Sequence, residues 1–347
     1  MLQHSHPPNW QIIGHDWAID YLQRCLLAGR AAHSYLFTGP PGVGKALLAL
    51  RLAQALNCER IDEAPCLRCR VCQRIERGNY PDVRIASMQT QAAGLKPEEA
   101  ARQKDLKIGT IREWQRDIAL RPYEGRRRVF ILHDAELLSE EASNALLKTL
   151  EEPPPFVVLI LVANRTNLLP TIVSRCQVIR LRPLSRQQVA RSLIEHHQID
   201  SEQANLLAAW SNGRIGWALQ AATIPDEVQQ RQERLDTLLT LQRQPRSTAF
   251  RWAEERSNDY RNGMQSDVLE WLELWQSWWR DVLLIAAGCP ESITHADRQA
   301  ELEQAAQRYT VAQIYTFLSR LTEAAQRLRE NVNPQLTLEN VILHLPG

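Results

Sequence analysis

The chain has 347 residues, 44% of them hydrophobic, which is enough for two or three domains with their own cores. Lys and Arg total 41 against 40 for Asp and Glu, so the net charge is +1. That balance excludes a surface that grips nucleic acid along its length, and any DNA contact is local or made by partners. The opening MLQHSHPPNW lacks the charged start and apolar run of a signal peptide. No apolar stretch nears the roughly 18 residues that cross a bilayer, so a soluble cytoplasmic protein with no membrane partner is expected.

The first half alternates short apolar runs with helical periods, the pattern of a parallel sheet covered by helices. Ser34–Thr38 (SYLFT) reads as a strand, followed by a glycine-rich turn and a helix over 47–56. That turn, Gly39-Pro40-Pro41-Gly42-Val43-Gly44-Lys45, has the context of a P-loop. Gly39, Gly42 and Gly44 let backbone N–H groups turn inward around phosphates, and Lys45 neutralises the terminal ones. The eighth position breaks the motif: it should carry the Mg²⁺-ligating hydroxyl of Ser or Thr and is Ala46.

Cys58, Cys66, Cys69 and Cys72 follow with C-x₇-C-x₂-C-x₂-C spacing. Two-residue spacings let three thiolates face one ion, and a fourth from the preceding helix end closes a tetrahedron, the arrangement of structural zinc. The competing iron–sulfur motif continues x₃-C-P, whereas Gln73-Arg74-Ile75-Glu76 follows here. Clustered cysteines in an odd total of seven suit a metal site in a reducing compartment better than a disulfide framework. Cys25, Cys176 and Cys289 are isolated and read as buried small apolar residues.

A second strand is expected over 82–86, and the polar stretch 87–105 reads as a mobile loop. A helix follows over 111–120, then strands over 129–132 and 157–162, the latter an uninterrupted apolar run suited to a central strand. Arg126-Arg127-Arg128 reads as a solvated strand entry rather than a DNA patch. The strand VFIL ends in His133-Asp134, placing Asp134 as the acid that holds Mg²⁺ through water. The AAA+ ATPases that this segment resembles follow that acid directly with a Glu that orients the attacking water; here the next residue is Ala135, and Glu136 comes one position late, on the opposite face if the segment is extended. Two losses at one site mark a degenerate ATPase. The P-loop is then either a tight turn kept for structure or a nucleotide site without turnover. Between the strands, 141–152 has helical spacing and stops at Pro153-Pro154-Pro155. A strand and turn over 168–173 leads to Arg175.

After Pro183 no convincing strand follows. Ser185-Arg186-Gln187-Gln188 fits a capping box, and Val268, Leu272, Trp275, Trp279 and Leu283 form the stripe of a buried helix.

Ser143-Asn144-Ala145-Leu146-Leu147-Lys148-Thr149-Leu150-Glu151-Glu152-Pro153-Pro154 is similar to the signature helix of the bacterial clamp-loader AAA+ family. Ser174-Arg175-Cys176 resembles its SRC motif, 10–14 and 33–38 its N-terminal boxes, and NPQLTLENVILHL (333–345) the closing helix of its collar. The resemblance implies an α/β AAA+ P-loop core with a parallel sheet over 1–183, bearing the zinc module. A helical lid (184–222) and an all-α collar that oligomerises (223–347) complete it. It implies that Arg175 is an arginine finger acting on ATP in the adjacent subunit, and that Cys58, Cys66, Cys69 and Cys72 hold zinc. Asn164 matches the polar sensor at a strand end, whereas the second sensor, an arginine in motor subunits, is Gly216 here. The implied setting is a hetero-oligomer with ATP-hydrolysing gamma/tau subunits and a delta subunit. There a non-hydrolysing subunit of this kind helps load the sliding clamp onto primed DNA for the polymerase III holoenzyme. Two other readings stand beside it: a gamma/tau-type ATP-hydrolysing motor, and a zinc-bearing regulatory AAA+ protein outside replication.

Overall fold

A computed structural model of the chain describes residues 10–93, 95, 96, 99, 103, 105–164, 168–330 and 332–346. It divides into two compact units: one runs to Leu184 and includes Arg214–Gly216, and the other holds Ser185–Gly213 and the chain from Trp217 onward.

The first unit is built on strands β1 (Ser34–Thr38), β2 (Val83–Ala86), β3 (Arg128–Leu132), β4 (Val157–Ala163) and β5 (Gln177–Arg180), paired in parallel in the order β2-β3-β4-β1-β5. Every residue of β1, β3 and β4 is buried, so the sheet is covered on both faces, as a parallel sheet requires. Alternate residues feed opposite layers. Tyr35, Phe37, Val129, Ile131, Val158 and Ile160 pack with Leu48, Leu52 and Leu22. Leu36, Phe130, Leu132, Leu159 and Leu161 pack with Ile111, Trp114, Leu146 and Leu150. The central run therefore becomes the central strand.

Two elements of this unit lie outside those expected from the sequence. The edge strand β5 (QVIR) buries only Ile179, and the helix Asp16–Leu27 precedes the first recognised strand. The helix Glu140–Glu151 begins at Ser139, whose hydroxyl accepts the Ala142 N–H at 3.1 Å, and has Glu140 and Glu141 in its first turn.

The expectation of a mobile loop over 87–105 is corrected where the chain is described. Ser87 and Thr90 form a capping box, each hydroxyl accepting the other's N–H at 3.1 and 2.8 Å, and open the helix Met88–Ala92. Gln91 then accepts the Lys107 N–H at 2.7 Å and donates to the Asp105 carbonyl at 2.9 Å, tying the two ends together. For residues 94, 97, 98, 100–102 and 104 the expectation lies outside the described residues. The Arg126-Arg127-Arg128 run is not simply solvated. Its guanidinium groups donate to the carbonyls of Cys58, Pro155 and Leu120, and Arg128 is buried.

The second unit is helical among its described residues. Ser185 and Gln188 close the expected capping box at the start of Arg186–His197. Trp210 Nε1 donates to Asp297 at 2.9 Å and Thr294 Oγ1 to Asn212 Oδ1 at 3.0 Å, joining the helix Ser201–Trp210 and the turn after it to the later part of the unit. Val268, Leu272, Trp275 and Trp279 are buried on the helix Gln265–Ala286, with Leu283 partly so. Trp275 stacks on Trp252 at 4.7 Å, and Trp279 meets Phe317 edge-on at 5.2 Å. Among the described residues no helix is long and apolar enough to cross a membrane.

Candidate functional site

In a parallel sheet the loops that follow adjacent strands emerge side by side at the carboxyl edge. Here β1 leads into the P-loop, its neighbour β4 is followed by Asn164, and the next strand β3 by His133-Asp134. The P-loop glycines adopt the left-handed region, at φ 146° for Gly39, 77° for Gly42 and 102° for Gly44. A side chain at Gly39 would also collide with the Leu181 carbonyl, 2.2 Å from an ideal Cβ. Lys45 opens the helix Lys45–Asn57 and is 5% exposed. Its ammonium turns back on its own loop, donating to the Gly39 and Pro40 carbonyls at 2.7 and 2.6 Å and to Asn164 Oδ1 at 3.0 Å. Burial lowers its pKa to about 8, against the opposing pull of Glu136 and Asp134.

Asp134 sits in the left-handed region (φ 54°), and its Oδ2 accepts the Met88 N–H at 3.2 Å. It is followed by a 3₁₀ turn, Ala135–Leu137, rather than an extended segment. The expected placement of Glu136 on the opposite face is therefore corrected. The turn brings Glu136 back, and its Oε1 accepts the Asn164 N–H at 3.0 Å. Asn164 thus joins Lys45 to Glu136, with one side-chain and one main-chain contact. The sequence contains the signal for this, since Asp tolerates the left-handed region better than most residues. His15, absent from the sequence-based candidates, also touches the loop: its Nε2 lies 3.1 Å from the Val43 carbonyl, and burial lowers its pKa. Gly216 donates its N–H to the Gly42 carbonyl at 2.7 Å, and a Cβ there would come within 3.0 Å of that oxygen.

The four cysteines converge. Cys58 caps the helix Lys45–Asn57, Cys69 caps Arg70–Glu76, and all four Sγ atoms lie within 4.8 Å of one another. Successive backbone N–H groups point at sulfur: Cys66 to Cys58 Sγ at 3.4 Å, Cys69 to Cys66 Sγ at 3.3 Å, and Cys72 to Cys69 Sγ at 3.4 Å. Such donors stabilise thiolates, so the donor set fits a thiophilic cation. A tetrahedral sulfur site with metal–sulfur bonds of ~2.3 Å has sulfurs ~3.8 Å apart, within reach of this cluster. Burial pushes the Cys58 and Cys72 thiols up. Burial acts the same way at Cys66, but the N–H groups of Arg68 and Cys69, together with hydrogen bonds to the Cys58 and Cys69 side chains, outweigh it and bring that thiol down to about 7. Arg51 and Gln54 bind Glu76, locking the module's helix to the one that starts at the P-loop. Cys25, Cys176 and Cys289, expected to be buried, are only partly so.

Arg175 follows the short helix Pro170–Val173, which replaces the expected strand and turn over 168–173; Pro170 at the first helical position favours it. Its guanidinium donates to the Thr171 carbonyl at 3.0 Å and pairs with Glu151 at 2.8 Å, with 36% of the side chain exposed.

The first unit is thus a P-loop AAA+ core that keeps the phosphate-loop backbone and lacks its metal-ligating hydroxyl. The family described as "DNA polymerase III, delta subunit" matches residues 14–185, and its C-terminal counterpart matches 225–346. The chain is 30% identical to DNA polymerase III subunit delta' of Bacillus subtilis (strain 168) over 322 residues, 91% of each chain. It is 34% identical to subunit tau of Escherichia coli (strain K12) over 215 residues, 60% of this chain and 31% of that one. The chain therefore spans about a third of that tau protein's length. A gamma subunit-related protein from Thermotoga maritima aligns over 94% of this chain and 98% of its own, with 17% identity and a TM-score of 0.41. The chain belongs to the delta-prime subunit family of the DNA polymerase III clamp loader.

Proposed function

We propose that the chain serves a clamp loader as a non-hydrolysing subunit that completes the ATP site of its neighbour. Its partners on this reading are ATP-hydrolysing gamma/tau subunits, a delta subunit, the sliding clamp and, through the complex, primed DNA. The core (1–183), lid (184–222) and collar (223–347) divide the labour, with the collar holding the hetero-oligomer together. Cys58, Cys66, Cys69 and Cys72 would hold Zn²⁺ with no open position, so the metal supplies structure rather than catalysis. The observation that carries the reading is that Lys45 turns its ammonium back on its own loop, while Arg175 is 36% exposed and, among the described residues, is held by Thr171 and Glu151 rather than by the P-loop cluster.

A planar, permanently charged guanidinium stabilises charge building on a transferring phosphoryl group. The chain's own pocket offers a methyl at Ala46 and a buried Ala135 where a ligand hydroxyl and a water-orienting acid would stand. The test is a clamp loader reconstituted with its remaining subunits, assayed for clamp- and DNA-stimulated ATP hydrolysis. Arg175→Ala should lower hydrolysis at the adjacent site, and the purified chain alone should show no turnover. A motor reading draws on the intact glycine pattern and the likeness to tau. Turnover by the purified chain would decide for it.

A further inference from the structure

Two residues hold Arg175, one by its main chain and one by its side chain. Ser34, 1% exposed at the start of β1, donates its hydroxyl to the Arg175 carbonyl at 2.6 Å across 141 positions of sequence. The Arg175 and Cys176 N–H groups return to the Ile172 and Val173 carbonyls at 3.1 and 3.2 Å, so the peptide is fixed from both sides. The guanidinium, by contrast, rests on Glu151, the last residue of the signature helix, in a pair whose side chains are 36% and 50% exposed.

We infer that Ser34 and Glu151 are positioning residues for Arg175, Ser34 aiming its peptide and Glu151 parking its guanidinium until a neighbour's nucleotide claims it. The inference rests on reading Arg175 as a finger that acts in trans. Removing the buried Ser34 hydroxyl leaves the Arg175 carbonyl without its donor and frees the peptide to shift, and displacement of a catalytic group by ~1 Å can cost ~10²-fold. Glu151 acts in the opposite direction. A solvent-exposed ion pair is worth little, so the arginine leaves it cheaply, yet the pair still competes with the phosphate for the same guanidinium. The strand that carries Ser34 runs directly into the P-loop, so one strand supports both the degenerate pocket and the finger.

The test uses the complete reconstituted loader, with ATP hydrolysis measured in the presence of clamp and primed DNA. Ser34→Ala should lower kcat about three- to tenfold with KM for ATP unchanged, the loss expected of one buried hydrogen bond. Ser34→Thr keeps the hydroxyl and should restore the rate. Glu151→Gln should raise the rate about 1.5- to fivefold, the range set by an exposed ion pair. In an Arg175→Ala background neither change should have any further effect. If Arg175→Ala itself hydrolyses at the wild-type rate, the finger reading fails and this inference falls with it. If Arg175→Ala is impaired but Glu151→Gln is not faster, or either change acts equally without Arg175, only the positioning roles are refuted. Should Ser34→Ala not fold, the surface substitution Glu151→Gln still decides.

Discussion

Lys45 of the P-loop and Arg175 of the Ser174-Arg175-Cys176 segment are both cations, and they are held in opposite ways. Lys45 is almost fully enclosed and bonded to three oxygens, two of them from its own loop. Arg175 is partly exposed and rests on one carboxylate and one carbonyl near the surface. Releasing Lys45 would break three hydrogen bonds worth ~1 kcal/mol each, while an exposed ion pair is worth ~0–1 kcal/mol. On the proposed reading, a P-loop persists as a folded turn without turnover, whereas a group that would reach another chain is loosely held.

The sharpest way to break the comparison is to remove the loosely held cation. Arg175→Ala should leave the chain folded and assembled, and lower hydrolysis at the adjacent site by ~10³–10⁵, with a smaller loss for a loader that has several active sites. Arg175→Lys should rescue poorly, because a point ammonium cannot reproduce the planar fork. Wild-type hydrolysis in the Arg175→Ala complex would reduce this subunit to a scaffold.

The cysteine module lies between the two cations in effect, since it is bound to the P-loop helix through Arg51 and Gln54. Cys69→Ser should weaken zinc binding by more than ~10²-fold, because even indirect supports of a metal ligand are worth 10–100-fold. Metal binding must also drive protons from Cys58 and Cys72, whose thiols burial pushes up. Zinc affinity, measured by competition with a chelator, should therefore rise from pH 6.5 to 8.5. Elemental analysis finding iron, or an affinity flat across that range, would contradict the assignment.

Much of this architecture is legible in the amino-acid sequence. The glycine pattern, the central apolar strand, the cysteine spacing and the tryptophan stripe each follow a local rule. The features that escape such rules depend on contacts distant in sequence or on a turn. β5 has only one buried residue, so periodicity does not reveal it. Strand alternation puts Glu136 on the wrong face, because one left-handed residue, Asp134, converts an expected strand end into a turn. Ser34 lies 141 residues from the carbonyl it binds, and no local pattern marks a hydroxyl for that purpose.

The smallest effect on function should come from the enclosed cation, and it shows instead in the pH dependence of stability. Lys45→Met keeps the side-chain length, removes the charge, and should leave clamp loading near wild type. The lysine's pKa falls from 10.5 to about 8 on folding, chiefly through burial. Between those values the unfolded chain binds more protons than the folded one, so this group makes stability rise with pH. Below pH 8 the full cost of burying the ammonium is present; above 10.5 it is relieved, a difference of about 3 kcal/mol. Comparing wild type with Lys45→Met by denaturant unfolding at several pH values isolates this lysine from other groups that titrate there. The wild type should gain on the variant from pH 8 to 10.5. A constant gap across that window would mean the ammonium is not desolvated, and a collapse of clamp loading in Lys45→Met would mean the loop still serves a nucleotide.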